Sequence, residues 1–155
     1  MFCSYGGGIH PTAIIGDPPE GREWTPDSPT FPPVIDATAR IEGYVTVDAG
    51  YERPTRIGAR SWCLKHSHIG HDALIGEDVE IAPGAVICGL CEIGDGVHIG
   101  VNASILPGRK VGAGAKIGAG AVVTHDVPAG EVWIGNPARR LVSRETVTPA
   151  PWTPA

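Results

Sequence analysis

The sequence has few charged residues, no basic stripe and no long apolar run. Asp, Glu, Lys and Arg make up 19% of its 155 residues, and the formal net charge is −5. Nucleic acids and anionic membranes bind clustered Lys and Arg, so this charge distribution argues against both partners. No apolar stretch reaches the length of a membrane-spanning helix, and no basic segment followed by an apolar one opens the chain. We therefore expect a cytoplasmic protein.

Cysteine is scarce as well, and its four copies do not form a metal-site pattern. Cys88 and Cys91 make a C-x-x-C motif without a second pair or a histidine at zinc-finger spacing. Cys63 and Cys91 fall on inward positions of the repeat described next, which predicts thiols packed in a core. We expect no metal.

A repeat of six residues dominates what is present. An aliphatic residue or cysteine occupies every sixth position twelve times in succession, at Ile57, Cys63, Ile69, Ile75, Ile81, Ile87, Ile93, Ile99, Ile105, Val111, Ile117 and Val123. This period fits neither an α-helix at 3.6 residues nor a simple strand at two. It predicts three short strands per coil of eighteen residues. The expected fold is all-β, a left-handed parallel β-helix built from hexapeptide repeats.

Two other positions of the hexad support this interpretation. The fifth position is mostly small or β-branched, as at Ser61, Ala85 and Ala103, which lets a narrow core close without overpacking. The position after the aliphatic residue is often glycine, as at Gly76 and Gly94. We expect these glycines at the corners, where positive φ or close backbone approach is required.

The same register extends towards both ends of the chain and is interrupted twice. It predicts a β-helix domain over residues 1–141 with a proline-rich insertion loop at 17–34, followed by a flexible tail at 142–155. A shorter interruption at 53–56 precedes Ile57. Long loops in compact domains are often functional, although a disordered surface excursion is an equal alternative for 17–34.

The exposed faces of such a prism favour association, and we expect a homotrimer with clefts between neighbouring prisms. The segment Lys65–Asp72 holds three of the six histidines, His66, His68 and His71. None falls on an inward position, so all three are expected on outer faces or corners. Either they are polar surface residues, or one of them is a general base in an intersubunit cleft.

A family resemblance supports the second reading. The sequence His68-Ile69-Gly70-His71-Asp72 resembles the histidine segment of the UDP-N-acetylglucosamine acyltransferases of lipid A synthesis. The stretch 71–85, with the endings 127–130 and 135–139, looks more like the sugar O- and N-acetyltransferases of the sialic acid and bacillosamine type. The resemblance covers about residues 57–141.

This resemblance implies acyl transfer from a coenzyme A thioester, with an acyl carrier protein as the less favoured donor, to a hydroxyl or amine. We expect acetyl-CoA as the donor and a sugar or nucleotide-sugar as the acceptor. In such enzymes the histidine matching His71 is the general base, a role suited to an imidazole near neutral pH. The carboxylate matching Asp72 orients that imidazole, which requires a turn here because adjacent strand residues point to opposite faces. Two histidines of these families are replaced, by Glu80 and by Leu90, so the acceptor stays open.

The remaining candidates come from the eighteen-residue stacking. Glu80 shares a column with His98 and Lys116, and we expect His66, His68 and Glu80 to contact substrate. Gly112, Ala113, Gly118 and Ala119 would allow a pantetheine arm to approach the backbone closely. Arg139 and Arg140 are candidates for coenzyme A phosphates, with a solvated end cap as the alternative.

Two other function classes remain open. The γ-type carbonic anhydrases use the same prism and bind zinc through three histidines from two chains. His66 and His71 reproduce a pair five residues apart, but neither His98 nor His10 stands at the expected third spacing. A non-catalytic scaffold is the third possibility.

Overall fold

The structure, a computed structural model, describes residues 8–18, 25 and 28–141. These residues are all-β and form nineteen short strands, without a helix that could cross a membrane. Successive strands join three sheets in rotation, so the chain winds as a parallel β-solenoid. The predicted β-helix of hexapeptide repeats is confirmed. The tail predicted at 142–155 lies outside the described residues, as does part of the loop predicted at 17–34.

The strands are numbered in chain order and grouped by sheet. Sheet 1 contains β1 (Gly8–Ile9), β4 (Arg40–Ile41), β7 (Trp62–Cys63), β10 (Glu80–Ile81), β13 (His98–Ile99), β16 (Lys116–Ile117), β18 (Val132–Ile134) and β19 (Arg139–Arg140). Sheet 2 contains β2 (Ile14–Asp17), β5 (Thr46–Asp48), β8 (His68–Ile69), β11 (Val86–Ile87), β14 (Ser104–Ile105) and β17 (Val122–Val123). Sheet 3 contains β3 (Val34–Ile35), β6 (Arg56–Ile57), β9 (Leu74–Ile75), β12 (Glu92–Ile93) and β15 (Lys110–Val111).

Each strand pairs with the equivalent strand one coil away. Glu80 lies opposite His98, which lies opposite Lys116, so equivalent positions recur every eighteen residues as the sequence predicts. All pairings between coils are parallel. At the carboxyl end β19 folds back antiparallel to β18 and closes sheet 1.

The core is the column of inward residues predicted from the hexads. All twelve aliphatic or cysteine positions are buried, and the most exposed of them, Ile75, retains only 4% of its surface. The small positions, such as Ser61, Ala85 and Ala103, are buried beside them. The amino-terminal coil is more open, since Ile9 is 48% exposed. A continuous aliphatic column therefore stabilises the prism, as burial of apolar surface does in any core.

The glycines after the aliphatic positions serve one of their two predicted purposes. A Cβ on Gly94 would lie 2.6 Å from the backbone nitrogen of Ala113, and one on Gly112 would lie 2.4 Å from that of Ala129. These glycines are needed because the next coil passes close to them. The alternative prediction, a positive φ at this position, is wrong. It occurs two residues later, as at Gly96 (φ 65°) and Asn102 (φ 53°), where the second turn residue reverses the chain.

The cysteine prediction is confirmed for the core positions. Cys63 and Cys91 are both fully buried. Burial raises the pKa of Cys63 to about 12 and that of Cys91 to about 11, so both are neutral thiols. The Sγ of Cys91 donates to the carbonyl oxygen of Leu106 at 3.2 Å.

The valines of one coil test whether the inward column carries the stability. Val97 is 1% exposed and Val101 is 45% exposed. Val97→Ala is expected to lower the free energy of unfolding by about 2 kcal/mol, because two buried methyl groups are lost and a cavity forms. Val101→Ala is the matched control, with an expected change within about 0.5 kcal/mol. Urea unfolding measures both, and equal losses would contradict the assigned register.

Candidate functional site

The sequence-predicted pair His71 and Asp72 lies at the corner where the chain passes from sheet 2 to sheet 3. We call this the His71 corner. The preceding coil crosses it with the turn Gly50–Arg53, between β5 and β6. The following coil crosses it with Gly89 and Leu90, between β11 and β12. His71 is therefore flanked along the solenoid axis by a longer turn on one side and by a glycine on the other.

A tight turn brings the two side chains of the pair together. Asp72 has a φ of 58°, so the chain reverses at this residue instead of continuing as a strand. The Nδ1 of His71 lies 2.8 Å from the Oδ2 of Asp72. A carboxylate can only accept hydrogen bonds, so Nδ1 carries the proton and Nε2 keeps a free lone pair. The turn required by the sequence argument is present.

Asp72 is held as an anion inside the protein. Its side chain is 1% exposed. Its oxygens accept hydrogen bonds from the backbone N–H groups of Tyr51 at 3.0 Å and of Glu52 and Arg53 at 2.8 Å each. Burial by itself would raise the pKa of this carboxyl. The N–H of Tyr51, the imidazole of His71 and the other two N–H groups outweigh burial and hold the pKa below its ordinary value.

The free edge of the imidazole lies over Gly89. A Cβ built on Gly89 would stand 2.4 Å from Nε2 of His71, so a side chain at this position would overlap the ring. The N–H of Gly89 donates to no group within the described part of the chain. On the other side, the ring of Tyr51 meets the imidazole edge to face, with centroids 5.0 Å apart. The free edge of the ring therefore faces the Gly89 backbone, and 25% of the His71 side chain stays exposed.

A groove opens beside the pair on sheet 2, and we call it the His71 groove. It is lined by Asp17, Thr46, Asp48, His68, His71 and Cys88, among others. His68 is half-buried, with Nδ1 2.7 Å from the hydroxyl of Thr46 and Nε2 3.7 Å from a carboxylate oxygen of Asp48. The structure thus brings together His68, His71 and Asp72 as predicted candidates, and it adds Asp17, the first residue of the predicted insertion loop.

The other two substrate candidates lie elsewhere. His66 occupies the corner between sheets 1 and 2, where its ring stacks on Tyr44 at 5.1 Å with an interplanar angle of 4°. Glu80 lies on the outer face of sheet 1, 3.5 Å from Nδ1 of His98. Within one chain neither residue reaches the His71 groove.

The cofactor candidates divide between two faces. Gly118 and Ala119 line a groove on sheet 1 together with Glu80, His98 and Lys116. We call this the sheet 1 groove. Gly112 lines a different depression on sheet 3.

The two arginine candidates lie at the carboxyl end of sheet 1. Arg139 and Arg140 form the exposed strand β19, next to β18 in that sheet. The Nε of Arg140 lies 3.1 Å from a carboxylate oxygen of Glu131.

In the part of the chain that the structure describes, no three His, Cys, Asp or Glu side chains converge on one point. His66 and His71, the pair that matched the carbonic anhydrase spacing, stand at different corners of the prism.

Three residues of this site were not among the site residues predicted from the sequence, namely Gly50, Tyr51 and Gly89. Gly50 and Tyr51 lie just before the interruption at 53–56, in the stretch where inward residues Val47 and Ile57 are ten positions apart instead of six. That departure from the period was a visible signal. Gly89 stands eighteen residues after His71, so the stacking rule does place it in the column of His71.

Comparisons with known proteins agree with this architecture. The family described as bacterial transferase hexapeptide (six repeats) matches residues 54–89 and 90–125. A UDP-3-O-acylglucosamine N-acyltransferase of Caulobacter sp. is 35% identical over 138 residues, which are 86% of this chain and 41% of that protein. The chain spans about half the length of the curated relatives it matches.

Two solved structures are similar over most of the chain. The acetyltransferase domain of PglB from Neisseria gonorrhoeae, in complex with acetyl coenzyme A, has a TM-score of 0.71 and 29% identity, covering 86% of this chain and 56% of that one. The UDP-N-acetylglucosamine O-acyltransferase LpxA of Moraxella catarrhalis has a TM-score of 0.82 and 25% identity, covering 87% and 53%. This chain has the repeats and the parallel solenoid of the bacterial transferase hexapeptide family, and the match to that family's model shows that it belongs to it.

Proposed function

We propose that this chain transfers an acetyl group from acetyl-CoA to a hydroxyl or amine of a sugar or nucleotide-sugar, with His71 as the general base. The single observation that carries the proposal is the geometry of His71. Its Nδ1 is bound to a buried carboxylate, and its Nε2 edge lies beside a groove. The names of the similar proteins support acyl transfer to sugars, and the PglB domain binds acetyl coenzyme A.

The chemistry follows from the orientation of the imidazole. Nε2 takes the proton of the sugar hydroxyl or amine while the oxygen or nitrogen of that group attacks the thioester carbonyl. When the C–S bond breaks, the proton on Nε2 passes to the departing thiolate, which leaves as a thiol. Asp72 stabilises the imidazolium formed in between, since it is ionised and bound to Nδ1.

General base catalysis by His71 supplies only part of the rate. Such a base contributes roughly 10²–10⁴-fold. The N–H of Gly89, which donates to no group in the described part of the chain, is the donor we propose for the oxyanion that develops on the thioester carbonyl. Holding both substrates in the groove supplies the rest through proximity.

The polar groups of the His71 groove favour an amine as the acceptor. Asp17 and Asp48 line the groove with His68, and neither Lys nor Arg is among its described lining residues. A carboxylate attracts an ammonium group through a Coulomb interaction that a neutral hydroxyl lacks. An amino sugar would therefore be drawn in and lose a proton before it attacks.

A homotrimer would unite the parts that one chain keeps apart. The base lies beside sheet 2, whereas Gly118, Ala119, Arg139 and Arg140 lie on sheet 1. The first outward position of each sheet 2 strand is uncharged, with Ile14, Thr46, His68, Val86, Ser104 and Val122, and the carboxylates Asp17 and Asp48 lie only at the ends of β2 and β5. Such a face packs readily against another prism. The His71 groove of one protomer would then face the sheet 1 groove of its neighbour, where acetyl-CoA would lie.

His71→Ala is expected to keep its fold and its binding of acetyl-CoA but to lose transfer by about 10²-fold or more, because only the proton acceptor is removed. Thiol release from acetyl-CoA, screened over amino sugars, hydroxy sugars and their nucleotide forms, measures this. His125→Ala is the matched control, because His125 lies at the same corner of the prism, two coils past Gly89. Normal turnover by His71→Ala would contradict the proposed base.

The ionised state of Asp72 predicts a pH dependence of stability. Because its pKa in the folded protein is lowered, its contribution is complete above the unfolded value of about 3.9 and is lost as pH falls through the folded pKa. Asp72→Asn should therefore cost about 1–3 kcal/mol at pH 7, and the difference from the wild type should shrink below about pH 4. Urea unfolding over pH 2–7 measures this, with Asp126→Asn, a 58% exposed side chain, as the control. A difference that stays constant down to pH 2 would contradict an ionised Asp72.

The assembly is tested by its mass in solution. Light scattering behind a sizing column should give three times the 16.1 kDa of one chain. Val86→Glu, which places a charge in the middle of the sheet 2 column, should reduce that mass and the transfer rate together, because a buried unpaired charge opposes association. A wild-type monomer with full activity would contradict the shared site.

A further inference from the structure

The turn Gly50–Arg53 is an addition to a regular corner. The hexad register spaces inward positions six residues apart, whereas Val47 and Ile57 are ten apart. The three coils that follow cross the same corner with Asp72, Leu90 and Gly108, in register and without an insertion. Closing the prism therefore does not require this turn.

The turn surrounds one carboxylate with donors. Three consecutive backbone N–H groups, of Tyr51, Glu52 and Arg53, bind the two oxygens of Asp72. The Nε of Arg53 also donates to the backbone carbonyl of Asp72 at 3.0 Å. A buried carboxylate is costly unless its oxygens are satisfied, and here the turn alone supplies most of the partners. The remaining partner of the carboxylate is the imidazole of His71.

The shape of the turn depends on a glycine and on the proline-rich loop. A Cβ built on Gly50 would lie 1.7 Å from the carbonyl oxygen of Arg53, so no other residue fits without opening the turn. Gly50 also exchanges two backbone hydrogen bonds of 2.9 Å with Phe31 at the end of the loop. The end of the loop and the turn thus brace one another beside Asp72.

The same turn also contacts the base directly. The ring of Tyr51 meets that of His71 at an interplanar angle of 73°. Asp72 fixes one nitrogen of the imidazole, and Tyr51 limits rotation of its plane. With Gly89 beneath the free edge, the imidazole has neighbours on three sides.

We propose that the Gly50–Arg53 turn is a positioning element of the site, in which Gly50 sets the backbone donors that orient Asp72 and Tyr51 fixes the ring of His71. The proposal rests on the proposed function in so far as His71 acts as the base. Its effect is to hold the proton on Nδ1 and to leave Nε2 free for the acceptor. Neither Gly50 nor Tyr51 touches a reacting atom.

The ring tautomer of His71 gives a direct test that does not depend on activity. In protein labelled with ¹⁵N-histidine, the ¹⁵N shifts of His71, assigned by their absence from His71→Gln, should show the proton on Nδ1. Gly50→Ala should open the turn and give a mixture of tautomers. Gly58→Ala is the matched control, because its Cβ would also clash, within 2.4 Å of the carbonyl oxygen of Gly76, but at another corner. An unchanged Nδ1 tautomer in folded Gly50→Ala, or the same mixture in Gly58→Ala, would overturn the proposal.

Tyr51 provides a second arm if Gly50→Ala does not fold. Tyr51→Ala is expected to lower kcat by about 10- to 100-fold through misplacement of the base, with KM for acetyl-CoA unchanged. Tyr51→Phe keeps the ring and should restore most of kcat. Equal kcat in Tyr51→Ala and the wild type would overturn the role of Tyr51. Should no acceptor support transfer, the proposed function fails, whereas the tautomer measurement still decides the positioning role.

Discussion

The hydrogen-bonded register between coils is the constraint on which the rest of this structure depends. Because each strand pairs with the equivalent strand of the next coil, eighteen residues on in the regular part of the prism, the side chains there have fixed neighbours above and below them. The inward positions become one aliphatic column, and the corners become columns of turns. Any group at a corner is therefore shaped by the coil before it and the coil after it. His71 illustrates this, with Tyr51 on one side and Gly89 on the other.

The candidate site is built from departures from the repeat. The other described corners of the prism bury no charged side chain. At Asp72 the chain buries a carboxylate, and four extra residues in the preceding coil supply the N–H groups that offset its desolvation. A regular repeat gains nothing from this arrangement. It does produce an imidazole with one nitrogen engaged and the other free, which is what general base catalysis requires.

One prism carries the parts of the site on different faces. The His71 groove lies on sheet 2, and Glu80, Gly118 and Ala119 line the groove on sheet 1. A solenoid this narrow cannot fold its own faces together, since the parallel ladder fixes them relative to one another. Association of several copies is the economical way to bring two faces onto one ligand.

The sequence by itself determined the fold, because a period of six with aliphatic residues at Ile69, Ile87 and Ile105 has a single packing solution and every coil repeats it. It also predicted that His71 lies on an outer face or a corner and that Glu80 stacks on His98. Only the tertiary structure decided that His66 stacks on Tyr44, away from the groove, and that the Gly50–Arg53 turn encloses Asp72. The physical reason is that turn residues have no periodic pattern. Their direction is set by φ and by contacts to neighbouring coils, which a linear sequence does not display.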